Sequence, residues 1–110
     1  MPDSRRNHYR VNYPFAERPA LEIGRASFEV VECSENGLRY VVGERRSPSV
    51  GTEISGRLLF RSGEAVDVTG DVVRLKDGLV ALALQPPGIP FSVVIHEQRY
   101  LRGRGYQVTE

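Results

Sequence analysis

Cysteine is nearly absent from this chain. Cys33 is the single thiol in 110 residues, so no internal disulfide can form. With only His8 and His96 beside it, no spacing reads as a zinc site, and no metal is expected. An excess of one charge sign is missing too. Fifteen basic residues against 14 acidic ones leave a formal charge of +1, which argues against a domain that coats nucleic acid by bulk electrostatics. No stretch approaches the roughly 18 apolar residues of a membrane span, and the polar, arginine-bearing N-terminus lacks the apolar centre of a signal peptide. The cytoplasm is therefore the expected location and no membrane partner is expected. There is no internal repeat and no low-complexity segment.

What is present suits one folded module. Apolar residues are 40% and charged residues 26%, near the averages for folded domains, and the length suffices for a core without staples. Residues 1–18 are polar, are broken by Pro2 and Pro14, and show no sustained period, which predicts a flexible arm. Residues 19–110 form the expected domain. "LEIGRASFEVVE" alternates apolar and polar residues and predicts two strands bending near Gly24; "NGLRYVV" predicts a third, entered by a positive-φ turn at Asn36-Gly37. "TEISGRLLF", "EAVDVTGDVVRL" and "GLVALAL" predict three more, joined by the turn-like "RSGE" and "KDG". Six short strands predict a small antiparallel barrel, since closure removes exposed edges. After "QPPGIP" the period changes: Phe91, Val94, Ile95, Gln98 and Leu101 fall at helical spacing, predicting one C-terminal helix over about 90–102. Gly103 and Gly105 would stop it, leaving Arg102 and Arg104 on a mobile, solvated tail.

Two segments carry chemistry. "SRRNHYRVNY" brings Arg5, Arg6 and Arg10 together just before the first apolar run. By itself it is read as a solvated charge run. "ECSENG" sets a carboxylate, a hydroxyl and a glycine at Glu32, Ser34 and Gly37, and in an extended strand Glu32 and Ser34 point to one face. Its plain alternative is a polar hairpin end in which Ser34 hydrogen-bonds its own turn.

Together these segments resemble the PilZ domain family, whose signature is RxxxR in a loop before the first strand and [D/N]xSxxG after the second. Here the halves read "RNHYR", Arg6 to Arg10, and "ECSENG", with Glu32 where the family has Asp or Asn. The resemblance implies an all-β, six-stranded PilZ-type barrel with an N-terminal arm and a C-terminal helix. It also implies a receptor for cyclic di-GMP, two guanosines joined through two phosphates. Arginine's planar fork matches both a phosphate edge and the O6/N7 edge of guanine, which suits Arg6 and Arg10. Glu32 is placed to accept from guanine N1–H and N2–H, Ser34 to add a hydroxyl, and Gly37 to let the backbone pass close under the ligand. Arg5 is a further cation, and by resemblance a basic residue there goes with two mutually intercalated ligand molecules. Glutamate retains the chemistry and changes the reach.

The expected function is thus a receptor or adaptor whose arm is reordered by cyclic di-GMP and which signals to a protein partner controlling motility, adhesion or biofilm polysaccharide. Two other readings stand beside it: an adaptor of this family that binds no ligand and acts only through protein contacts, and a small barrel that binds single-stranded nucleic acid. No nucleophile–base constellation points to an enzyme, and no cofactor is expected beyond the ligand. His8 is read as an exposed loop residue, Cys33 as a buried apolar thiol, and Tyr9, Tyr13 and Tyr40 as packing.

Overall fold

In the computed structural model, which describes residues 9–43 and 45–108, the alternating segments become antiparallel strands in an unbroken ring. In chain order they are β1 (Val11–Asn12), one 3-10 turn (Phe15–Glu17), β2 (Ala20–Ile23), β3 (Ala26–Ser34), β4 (Gly37–Val41), β5 (Glu53–Leu59), β6 (Ala65–Lys76) and β7 (Leu79–Leu84), followed by helix α1 (Phe91–Gly103). Strands β3, β2, β5, β6, β7 and β4 pair in that order, and β4 returns to β3, closing a six-stranded barrel in which the end of β3 runs past β2. The short β1 is an extra strand lying against β3, with Val11 opposite Cys33 and Asn12 opposite Glu32. Inward residues of all strands, among them Leu21, Val30, Tyr40, Leu58, Val72, Val80 and Leu82, form one core.

Strict alternation fails twice, and both failures matter. In β3 the register skips between Val30 and Glu32, and in β6 it skips between Val72 and Arg74. Each skip is a β-bulge, an extra residue that reverses the facing of everything after it. Val30 and Cys33 both point inward although three positions apart, so Glu32 between them points out. Val72 is fully buried, and the extra Val73 leaves Arg74 outside as well. The β6–β7 hairpin turns on Asp77 and Gly78, whose φ values of 53° and 77° match the paired left-handed residues of a type I′ turn.

Three expectations are corrected by the packing. Of the arm predicted for 1–18, residues 1–8 lie outside the described residues and the rest is packed: Val11 and Tyr13 are core residues and Glu17 is only 2% exposed, because β1 has β3 to pair with. The helix presents Val93, Val94, Glu97, Gln98 and Leu101 to the core, while Phe91 is 43% exposed. Arg104 is not on a free tail. After α1 closes with bonds from Gly105 N to Arg102 O and Tyr106 N to Leu101 O, Arg104 donates from Nε to Glu17 Oε2 at 2.6 Å.

These contacts stitch the leader to the helix. Tyr9 meets Phe91 edge-on with centroids 4.8 Å apart, Tyr13 donates its hydroxyl to Glu97 Oε1 at 2.7 Å, and Tyr100 donates to Glu17 Oε1 at 3.1 Å. Glu97 also accepts from the Ser62 hydroxyl in the β5–β6 turn. Burial, with Cys33 and Glu97 alongside, pushes the Tyr13 hydroxyl far above its ordinary pKa, so it remains a donor. The hydrogen bond from Arg104 holds the Glu17 carboxyl below the usual carboxylate range. Cys33 is buried 3.7 Å from the Tyr13 hydroxyl, and its thiol is pushed up to about 12, chiefly by desolvation.

Candidate functional site

The leader and the "ECSENG" hairpin, far apart in the chain, meet on the outer face of the barrel. Pairing of β1 with β3 brings Arg10, immediately before β1, alongside Glu32. Arg10 Nε lies 3.2 Å from Glu32 Oε2, with the arginine side chain 50% exposed and the glutamate 12%. Glu32 is also the register partner of Arg39 on β4, and the Arg39 guanidinium donates to its other carboxylate oxygen. One carboxylate therefore bridges two arginines. Exposed pairs of this kind are worth about 0.2–1 kcal/mol each, so an incoming anion can exchange with them at little cost.

Arg10, Glu32 and Arg39 open onto a cavity of ≈ 410 Å³ whose other walls are Arg74, Lys76, Asp77, Leu79 and Ala81. That volume falls in the range of about 300–1,000 Å³ usual for small-molecule sites. Register explains the grouping. Glu32 pairs with Arg39, Arg39 with Ala81, and Ala81 with Arg74, so the four form one row across β3, β4, β7 and β6. The neighbouring row runs Ser34, Gly37, Ala83 and Asp71. Ser34 and Gly37 thus share the outer face with Glu32 one row along, and they do not line the cavity.

Two details of the hairpin differ from expectation. Neither Asn36 nor Gly37 has positive φ; a Cβ on Gly37 would instead sit 3.0 Å from the Leu82 carbonyl, so the position is glycine because β7 passes close beneath it. Ser34 Oγ donates to Gly37 O at a long 3.5 Å, and the turn is fastened from the other side by Leu84 N to Asn36 O and Ile89 N to Glu35 O. Arg5, Arg6 and His8 lie outside the described residues.

Sequence reasoning missed Arg39, Arg74 and Lys76. The available signal was "RLK", where Arg74 and Lys76 sit two apart on one strand and so share a face; Arg39 required knowing the β3–β4 register. Among the described residues, no helix is long and apolar enough to cross a membrane.

A closed six-stranded barrel with a leader strand, a C-terminal helix and a cationic groove on its outer face defines a small binding module. The family model described as PilZ domain matches residues 4–101, and the chain belongs to the PilZ domain family. That match takes in both "RNHYR" and "ECSENG". No curated protein matches the chain. PilZ domains are in general non-enzymatic cyclic di-GMP-binding adaptors.

Proposed function

We propose that this protein is a cytoplasmic cyclic di-GMP receptor that binds its ligand over the Arg10–Glu32 corner of the barrel and needs no other cofactor. The observation that carries this reading is the 3.2 Å contact between Arg10 and Glu32, one residue from each half of the family signature. The Arg10 guanidinium, half exposed, presents its fork to a phosphate or to guanine O6/N7. Once Arg10 turns to the ligand, Glu32 accepts from guanine N1–H and N2–H. Ser34 exchanges its long bond to Gly37 O for one to the ligand. Arg5 and Arg6, on the same leader, add the remaining cations, and Arg5 favours a second, intercalated ligand molecule. Because Arg10 adjoins Tyr9 and β1, which pack on α1, engagement of the leader alters the surface around Tyr9 and Phe91 that is offered to a protein partner.

Isothermal calorimetry with cyclic di-GMP, GTP and a short oligonucleotide tests this reading. Binding of cyclic di-GMP alone is expected, and Arg10→Ala or Arg6→Ala should abolish it while leaving the thermal transition near that of the wild type. Equal binding by both variants would eliminate the site. The double ion pair at Glu32 favours a second reading, an adaptor that binds no ligand and whose groove is closed by its own carboxylate. Absence of heat with every ligand, together with retained binding to a protein partner, would select it.

A further inference from the structure

The signature residues account for one end of the groove and leave the other unexplained. Across the Glu32–Arg39–Ala81–Arg74 row, Arg39 and Arg74 stand two strand spacings apart, roughly 10 Å at ~4.8 Å per spacing. Between them Ala81 contributes only a methyl group, which leaves a floor that a flat ligand can approach. Lys76, two residues after Arg74 and opposite Leu79, extends the cationic wall along β6. Arg74 and Lys76 are both exposed, and neither has an ion-pair partner among the described residues. Four cations, Arg10, Arg39, Arg74 and Lys76, face two carboxylates, Glu32 and Asp77, a surplus of two positive charges in one cavity. Exposed basic residues on a strand ordinarily alternate with apolar inward ones; here a bulge at Val73 was needed to set Arg74 in this row.

We infer that Arg74 and Lys76 form a second anion subsite that takes a second phosphodiester, while Arg10, with Arg39 beside it across Glu32, takes the first. The inference rests on the receptor reading and extends it, assigning to Arg74 and Lys76 the part of the ligand that the signature residues do not reach. The surplus of two positive charges equals the charge of the two phosphodiesters in a cyclic dinucleotide. Leu79, half-buried at the groove's edge, supplies an apolar flank for a purine face. A mononucleotide, with all its phosphates at one end of one nucleoside, does not reach both ends of the row.

The test is calorimetry of cyclic di-GMP on the full chain, comparing the wild type with Arg74→Gln/Lys76→Gln and Arg74→Lys. The double variant should bind roughly ten- to a hundredfold more weakly, about the 1.4–2.7 kcal/mol expected from losing charge-assisted contacts. It should retain the wild-type thermal transition because both side chains are exposed. Arg74→Lys, which keeps the charge, should bind within a few fold of the wild type. A wild type that binds beside a double variant of equal affinity would overturn the subsite and leave the receptor reading standing. Failure of the wild type itself to bind would overturn both.

Discussion

Glu32 and Glu97 are two carboxylates handled in opposite ways. Glu32 lies on the outer face with its side chain 12% exposed, held by two guanidinium groups that are themselves half in solvent. Glu97 is 1% exposed and is satisfied by the hydroxyls of Tyr13 and Ser62. The first can change partners, because exposed ion pairs are weak and water or an anion can replace them. The second cannot, because a buried acceptor stripped of its donors has no water to turn to. One carboxylate belongs to a site and the other to a joint between leader, β5–β6 turn and helix.

The largest expected effect breaks the joint. Glu97→Ala leaves the buried Tyr13 hydroxyl without its carboxylate acceptor, worth about 1–3 kcal/mol, and the half-buried Ser62 hydroxyl without its own. At ~4–8 °C per kcal/mol for a domain near 100 residues, the Tm should fall by on the order of 10 °C. A differential scanning calorimetry trace within 2 °C of the wild type, taken as roughly the sub-kcal limit, would remove Glu97 from this role.

Glu17 gives the next effect, and pH reads it. Its carboxyl pKa is lowered in the folded state, first of all by the hydrogen bond from Arg104. That contribution is therefore complete above the unfolded carboxylate value of about 4.3 and is lost as pH falls through the folded value. Glu17→Gln should be less stable at pH 7 and should lose less further stability on acidification than the wild type. Parallel curves of Tm against pH would show that the Arg104 contact carries no linkage.

Cys33 sharpens the comparison without altering energy. Buried, with its thiol pushed up to about 12, it should resist a disulfide reagent at pH 8 in the native protein and react fully in denaturant. Rapid native labelling would mean that β1 leaves β3 readily, exposing the site's own support.

Glu32→Asp should have the smallest effect on stability, within about 0.5 kcal/mol, since it touches only two surface ion pairs whose arginines are half exposed. The shorter carboxylate should no longer bridge Arg10 and Arg39, freeing the groove and tightening cyclic di-GMP several-fold. A large loss of affinity would instead mark glutamate as the adapted length here.

Much of the barrel was legible because alternation is a local signal. Leu38 and Tyr40, or Leu58 and Phe60, announce an inward face without knowledge of any neighbour. The two ends of the chain were not legible. Val11-Asn12 is too short to show a period, and it becomes a strand only because β3 offers an edge beyond the end of β2. Arg104 looked like a tail residue because its partner, Glu17, lies at the other end of the chain, beside the returning helix. In the candidate site, Arg10 and Glu32 were recognisable from the spacing of their motifs, whereas Arg39, Arg74 and Lys76 join them only through register.

By itself the order of residues determined the strand segments, most of the turns and the helix, because propensity and period act over a few neighbouring positions. Only the closed barrel decided which side of β3 and β6 faces water after the extra residues at Val31 and Val73. A period of two continues unchanged along a chain; a bulge exists only relative to the strand beside it. The outward row of Glu32, Arg39, Ala81 and Arg74 is the consequence.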